Sequence, residues 1–249
     1  MAIKRSLGWI PDLPDQRDFK LAVSNVALPS AVDLRPLMPP VYDQLALGSC
    51  TANAIAAAVE FERAKQKLPH ITPSRLFIYY NERVLEDSVD SDSGATLRDG
   101  MKAISDPGVC SESDWPYNIE KFAVKPPARD FKIAPFNRAI SYLSVGQAVN
   151  PMRSCLASGY PFVFGMSVYD SFLSDEVART GIVPMPGPQE SLQGGHAPLG
   201  VGYDDSRRLF LGRNSWGVSW GIKGYFWIPY EYLTNADLAD DFWTLRSVL

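Results

Sequence analysis

The chain has 249 residues, of which 46% are hydrophobic, and a formal net charge of −4 at pH 7. The length fits one large domain or two sub-domains that share a cleft, and the apolar fraction is normal for a globular protein with a substantial core. The slightly acidic balance, without any Lys/Arg run, argues against a nucleic-acid partner, and no segment approaches the roughly 18 consecutive apolar residues of a membrane span.

Residues 1–27 are rich in Pro, Asp and basic residues and have no sustained apolar period, which predicts an extended leader punctuated by turns. The segment also lacks the apolar run of about 7–15 residues of a signal peptide. Three interpretations therefore stay open: the protein remains in the cytoplasm, it is exported by a non-Sec route, or the sequence has been trimmed. Two interpretations of the leader also stay open: a surface-wrapped or disordered segment, or a short pro-segment lying in or near a cleft. In the second, Trp9 and Phe19 would anchor it.

The first half of the body, from about residue 28 to 130, is predicted to be mainly helical. Small and apolar residues recur over 50–67 and predict a long helix with a buried face. Thr72 as N-cap and Pro73 as the first helical residue predict a second helix that ends near residue 86. A third, short helix is expected over 95–104.

The second half, about 131–249, is predicted to be rich in strands. A short helix is expected over 152–156, and apolar runs predict strands at 160–168, 196–203, 208–214 and 224–229. A hairpin turn between the second and third of these strands is predicted at Asp204, Asp205 and Ser206. A helical half followed by a β-rich half predicts an α+β fold with a natural cleft between the two.

Neither a disulfide framework nor a metal site is indicated. Three cysteines allow at most one bridge, Cys110–Cys155, while Cys50 stays free. The histidines and cysteines lack the spacing of zinc ligands. The acidic loop at 87–94 could bind calcium through its carboxylates, but it lacks the glycine and the closing glutamate of an EF-hand, which favours a solvated loop.

The stretch from Gln44 to Ala54 is the strongest chemical signal. It places Cys50 in the first turn of a helix, where free backbone N–H groups and the helix dipole favour a thiolate nucleophile. Gly48 and Ser49 leave room for a substrate, and the Gln44 amide lies close enough to act as an oxyanion donor together with the Cys50 N–H. Taken alone, a cysteine in this setting is more often a buried structural residue, and the functional interpretation depends on two distant stretches of the chain.

A nucleophilic cysteine needs a base, and His196 is the better candidate. His70 falls in a loop between helices, where a surface role is expected. His196 is expected to begin an apolar strand, and the hairpin returns Asn214 beside it. An Asn amide oxygen can hold one imidazole nitrogen while the other faces the thiol, giving a thiolate–imidazolium pair with Cys50. Trp216 is placed to shield that hydrogen bond from water.

These motifs resemble the papain-like, cathepsin-type cysteine peptidases. The resemblance rests on Gln44-x5-Cys50, His196-Ala197 and Asn214-Ser215-Trp216-Gly217, and extends over residues 28–35 and 216–226. It implies a helical L sub-domain and a β-barrel-like R sub-domain within a peptidase domain at 28–249. It also implies an endopeptidase that hydrolyses protein or peptide substrates through a thioester acyl-enzyme, without a cofactor or metal.

The chain also departs from the family pattern. Leu47 replaces a disulfide cysteine and Thr51 an aromatic residue of many relatives. Gly94, within 93–96, is the nearest candidate for the wall that binds the acyl side of the substrate, and Gly195 and Ala197 are the other expected substrate contacts. The second specificity pocket is expected near Ala197 and residues 233–237.

The leader is much shorter than the family's inhibitory pro-regions, so inhibition by the usual helical prodomain is not expected. Its opening, Gly-Trp-x-Pro-Asp-x-Pro-Asp-x-Arg-Asp, resembles bacterial members. Two rival functions stay open: a catalytically silent binding module, and another thiol acyl transfer such as amidase or transpeptidase chemistry on cell-wall peptides.

Overall fold

A computed structural model describes residues 5–23 and 27–249. Residues 1–4 and 24–26 of the expected leader lie outside the described residues. The helices are α1 (Cys50–Lys65), α2 (Arg75–Leu85), α3 (Leu97–Ser105), α4 (Ala128–Ile133), α5 (Val149–Ala157), α6 (Asp175–Thr180) and α7 (Tyr230–Thr234). The strands are β1 (Ala31–Asp33), β2 (Ala139–Ser144), β3 (Phe162–Tyr169), β4 (Leu192–His196), β5 (Leu199–Asp204), β6 (Leu209–Arg213), β7 (Tyr225–Pro229) and β8 (Ala239–Val248).

Helix α1 is the central element of the helical half. Its alanines let α2 and α3 approach closely on one side and strands β3, β5 and β8 on the other, so that the helix is buried from Cys50 to Arg63. The predicted helix over 50–67 is therefore confirmed, with its end two residues earlier. The thiol of Cys50 stands at the end of α1 that points toward the sheet.

The starts of the next two helices differ from the predictions. The N-cap of α2 is Ser74, whose hydroxyl accepts a hydrogen bond from the Phe77 N–H at 3.1 Å. Thr72 and Pro73 lie before the helix, and Pro73 forms a bridge with Ser111 instead. Helix α3 begins at Leu97 behind a Thr96 cap, because Ala95 is held in an extended backbone by another segment of the chain.

All strand pairs in the sheet are antiparallel. The order is β2-β8-β3-β5-β6-β7, with β1 added beside β5 and β4 beside β3. The β5–β6 hairpin is present as predicted. The continuous strand expected over 196–203 is wrong, since His196 ends β4 and Pro198 separates it from β5. His196 therefore lies at a strand end opposite Met166 of β3.

Helices α1–α3 and the sheet meet along one continuous core, which confirms the α+β fold class. Cys50, Cys110 and Cys155 are all buried free thiols, so the bridge considered between the last two is absent. Within the described ranges, no group of three or more metal-ligating side chains is close enough to hold an ion. None of the described helices is both long and apolar enough to span a membrane.

Candidate active site

The loop before Cys50 is held by an acidic side chain from a distant loop. The Gly48 N–H donates to both carboxylate oxygens of Asp92 at 3.0 Å, and the Tyr79 hydroxyl donates to the same carboxylate. The loop 87–94 is mostly exposed, as expected. Asp92 nevertheless gives it a structural role that the sequence did not reveal, because the two segments are 44 residues apart.

The two residues predicted as base and orienting group meet in a buried pair. His196 Nε2 lies 2.8 Å from Asn214 Oδ1, which also accepts the Ser215 N–H at 2.8 Å. Since an amide oxygen only accepts, Nε2 carries the proton and Nδ1 of a neutral ring is left as an acceptor. Nδ1 is buried and has no partner among the described residues. Trp216 covers the imidazole at a ring-centroid distance of 4.9 Å.

Gln44 is fully buried and links the two halves of the molecule. Its Nε2 donates to the carbonyls of Leu47 at 2.9 Å and Ser6 at 3.0 Å, while its Oε1 accepts from the Ser215 hydroxyl at 2.6 Å. The Gln44 N–H donates to the Ser215 carbonyl at 2.8 Å. Gln44 is therefore fixed beside the loop that carries Asn214, with its amide group turned toward a leader carbonyl.

A polar network behind this loop was not predicted. The Tyr117 hydroxyl donates to the Gln44 carbonyl at 3.0 Å and contacts the Ser49 hydroxyl at 2.6 Å. The guanidinium of Arg75 lies over the Tyr117 ring and donates to Asn53 Oδ1 at 3.2 Å. The sequence Trp115-Pro116-Tyr117 indicates an aromatic turn but gives no indication of these partners.

The leader crosses the cleft as an extended strand. The Gly8 carbonyl accepts from the Ala95 N–H at 2.8 Å, and the Ile10 N–H donates to the Ala95 carbonyl at 3.0 Å. On the opposite wall, the Trp9 N–H donates to the Gly195 carbonyl at 3.0 Å. Gly94 and Gly195, both predicted to contact substrate, thus contact the leader. Gly94 has φ of +79°, and a Cβ there would lie 2.1 Å from the Gly8 carbonyl oxygen.

Of the two expected leader anchors, only Trp9 is buried. Its side chain is 8% exposed, lies against Gly165, and donates from Nε1 to Asp241 Oδ2 at 3.0 Å. Phe19 is 79% exposed, so its predicted role as an anchor is wrong. The backbone beside Phe19 instead extends the edge of β2 through two 2.8 Å hydrogen bonds with Ser144.

The indole of Trp9 lies in a pocket of the cleft. Gly165, Gly195, Ala95 and Asp241 surround the indole. Ala197 is fully buried, and its backbone N–H faces the Cys50 sulfur.

Burial shifts the pKa values of the Cys50 thiol and the His196 imidazole, and in each case it favours the neutral form. It raises the pKa of the Cys50 thiol to about 12, although the N–H groups of Ala197 and Gly8 facing the sulfur act in the opposite sense. It lowers the pKa of His196 to about 4, against the effect of the Asn214 hydrogen bond. Both shifts favour the neutral thiol and the neutral imidazole while the leader covers the cleft.

A pair of buried aspartate side chains, Asp12 and Asp241, lies farther along the leader. Burial raises the pKa of Asp241 to about 7, and the nearby Asp12 carboxylate adds to the shift. Burial also raises the pKa of Asp12, against the attraction of Arg98. The Asp12 N–H donates to Asp241 Oδ2 at 2.8 Å, so the two side chains belong to one contact between leader and body.

Comparison with known proteins agrees with this geometry. The family described as "Papain family cysteine protease" matches residues 28–242. Xylellain, a cysteine protease from Xylella fastidiosa, superimposes with a TM-score of 0.91 at 45% identity, over 100% of both chains. A peptidase C1-like protein of Acanthamoeba polyphaga mimivirus is 41% identical over 99% of this chain and 88% of its own length.

The fold is shared with a more distant protein. A digestive procathepsin L 3 from Tenebrio molitor shares the fold at a TM-score of 0.71 and 21% identity, covering 97% of this chain and 75% of its own. The family match and the 41% identity together decide the assignment. The chain belongs to the papain family of cysteine peptidases, which are hydrolases acting on peptide bonds.

Proposed function

We propose that the chain is a cysteine endopeptidase in which Cys50 is the nucleophile and His196 the general acid and base. The observation that carries this proposal is the buried His196–Asn214 pair, whose free Nδ1 belongs to the same cleft as the thiol at the start of α1. An acceptor nitrogen held in one tautomer is what a thiol needs to lose its proton.

Each remaining group has a role in the reaction. Once the cleft is open, His196 takes the thiol proton and the sulfur attacks the substrate carbonyl. Gln44 Nε2 and the Cys50 N–H stabilise the oxyanion, and the imidazolium then donates its proton to the leaving amine. Water attacks the thioester with His196 as base and restores the thiol. Asn214 holds the ring plane throughout, and Trp216 keeps water from the Asn214–His196 bond.

We further propose that the leader holds the enzyme in a latent state. Ser6 occupies the Gln44 amide with its carbonyl, and Gly8 covers the sulfur, which leaves Cys50 with no exposed surface. The backbone N–H of Gly8, which belongs to the leader, faces the sulfur. Arg5 extends this contact through Asp43 and the Trp216 carbonyl, which it reaches at 3.0 Å.

The catalytic assignment is tested by replacing Cys50 with alanine and measuring hydrolysis of a fluorogenic protein substrate. We expect activity to fall by about 10⁴-fold or more while the fold persists, because the nucleophile acts as a unit with its base. Cys110→Ala is the matched control, since it removes another buried thiol outside the cleft. An undiminished rate in Cys50→Ala would end the proposal.

A further inference from the structure

The leader residue that faces the sulfur lies between two glycines of the body. The Gly8 N–H faces the Cys50 sulfur. A Cβ on Gly8 would lie 1.8 Å from the Gly48 carbonyl oxygen, and a Cβ on Gly94 would lie 2.1 Å from the Gly8 carbonyl oxygen. The gap between Gly48 and Gly94 is therefore closely matched to the thickness of one backbone. A substrate residue that brings its carbonyl to the sulfur must enter the same gap.

One carboxylate at the surface links these two glycines. The Gly48 N–H donates to both oxygens of Asp92 at 3.0 Å. The Tyr79 hydroxyl donates to Asp92 Oδ1 and accepts the Gly94 N–H at 3.1 Å. A continuous chain of hydrogen bonds thus connects the backbone on one side of the gap with the backbone on the other. We call these four residues (Gly48, Asp92, Tyr79 and Gly94) the glycine clamp.

The glycine clamp is anchored on helix α2. Tyr79 and Arg83 are fully buried, and the Arg83 guanidinium lies 4.0 Å from the centre of the Tyr79 ring. Arg83 also donates to the carbonyls of Val89 at 2.6 Å and Ser91 at 3.0 Å, which fixes the backbone just before Asp92. Burial and the hydrogen bond to Asp92 raise the pKa of the Tyr79 hydroxyl well above its ordinary value, so that it stays protonated and remains a donor.

The glycine clamp makes this link without a covalent bond. Leu47, next to Gly48, stands where many relatives have a disulfide cysteine, and Cys50, Cys110 and Cys155 are free thiols. While the leader is in place, Gly8 also bridges the gap, because its carbonyl accepts from the Ala95 N–H at 2.8 Å. The members of the glycine clamp all belong to the body, so the link between the two glycines persists when the leader leaves.

We propose that Asp92 is a positioning residue of the peptidase, which sets the separation of Gly48 and Gly94 on either side of the substrate residue whose carbonyl is attacked. This inference rests on the proposed peptidase function. A small displacement of the attacked carbonyl from the sulfur slows the reaction strongly, because the rate depends on the orientation of the reacting atoms. Loss of Asp92 should therefore slow the reaction with peptides without slowing the reaction of Cys50 with a small reagent.

The test compares kcat/KM for one fluorogenic peptide with the rate at which iodoacetamide alkylates Cys50. All proteins are full-length and carry Trp9→Ala to open the cleft, and the protein with this change alone is the reference. Titration with a thiol-directed epoxide gives the concentration of active sites in each sample. Iodoacetamide is small and needs the thiolate, whereas the peptide must also fit between the two glycines.

Asp92→Ala removes every acceptor that the glycine clamp offers to Gly48 and Tyr79. It should lower kcat/KM by about 10- to 100-fold, the size of a hydrogen bond to a charged group, while the alkylation rate stays close to that of the reference. Asp92→Asn keeps one acceptor oxygen and should lose less. Asp90→Ala is the matched control, since Asp90 is an exposed aspartate of the same loop; both of its rates should equal those of the reference.

Tyr79→Phe tests the other half of the glycine clamp. It keeps the buried ring beside Arg83 and the charge of Asp92, and it removes the hydroxyl that links Asp92 to Gly94. This variant should also lower kcat/KM and leave the alkylation rate unchanged. Because the two side chains act through one chain of hydrogen bonds, the double variant with Asp92→Ala should lose about as much as the more damaging single variant, and not the product of the two losses.

The proposal is overturned if Asp92→Ala hydrolyses the peptide as fast as the reference, or if the two single losses multiply in the double variant. A fall in alkylation that parallels the fall in hydrolysis would also overturn it, because Asp92 would then support the nucleophile instead of the walls of the gap. A failure of the peptidase function gives a different result. In that case the reference itself would show no hydrolysis that depends on Cys50.

Discussion

Removing the Trp9 side chain should release the leader from the cleft. The indole is 8% exposed, packs on Gly165 and donates to Asp241 at 3.0 Å. Truncation of a buried tryptophan to alanine costs about 3–5 kcal/mol, equivalent to about 10²- to 5 × 10³-fold in the ratio of open to closed protein. The observed gain is capped once most of the protein is open.

The assay for this prediction is the rate at which iodoacetamide modifies Cys50, with the site of labelling identified by peptide mass spectrometry. The parent should react slowly, because the thiol has no exposed surface and burial raises its pKa to about 12. In Trp9→Ala, Cys50 should react faster than in the parent, by up to the factor by which the ratio of open to closed protein rises. Phe19→Ala is the matched control, because this leader aromatic is 79% exposed and should leave the rate unchanged.

The reasoning is refuted if Trp9→Ala and the parent are labelled at the same rate. A thermal melt of each variant distinguishes leader release from global unfolding. A large fall in melting temperature together with labelling of Cys110 and Cys155, which are buried in the body, would indicate that the whole fold has loosened. Selective labelling of Cys50 in a folded protein is the result that supports leader release.

Three further predictions concern the cleft and its closure. Closure of the cleft by the leader should weaken as pH rises through about 7. Asp241 has a pKa of about 7 in the covered state, raised from 3.8. The closed form therefore binds more protons than the open form, and low pH favours the closed form. The ratio of Cys50 labelling rates in the parent and in Asp241→Asn should therefore rise between pH 5.5 and 8.5, and a constant ratio would contradict the linkage. Asn214→Ala should lower kcat by about 10- to 100-fold with little change in KM, since one hydrogen bond to the imidazolium is lost; a selective rise in KM would instead assign Asn214 to substrate binding. Gly165→Val should speed Cys50 labelling, because its side chain would occupy the place of the indole; an equal or slower rate of labelling would show that the indole does not hold the leader at this site.

The residues predicted from the sequence to form the site are close together in the structure, because they follow from local chemistry. A thiol at a helix start, a histidine behind two glycines and an Asn returned by a hairpin each depend on neighbours within a few residues. The hairpin brought Asn214 to 2.8 Å from His196 even though the strand containing His196 was misassigned. The prediction that His196 and Asn214 meet is unaffected, because His196 lies at a strand end in both cases. It was expected to begin a strand, and in the structure it ends β4.

What could not be predicted depends on contacts between distant segments. Asp241 lies in β8, whose pairing with β3 bridges more than 70 residues, and two adjacent aspartates do not read as a buried strand. The sequence predicts that Asp92 lies in a solvated loop, because nothing in its own segment indicates the contact with Gly48. Trp9 and Phe19 looked equally suited to anchor the leader. Only Trp9 has a partner that leaves space for its ring, Gly165, and Gly165 lies in another element, β3.

The most direct test of the central claim is titration of the opened enzyme, the Trp9→Ala variant, with an epoxide that alkylates thiols. Peptide hydrolysis should fall linearly to zero as one equivalent is consumed, with the label on Cys50, and His196→Ala should react much more slowly. Hydrolysis that persists after Cys50 is fully labelled would contradict the assignment of Cys50 as the nucleophile of this cleft.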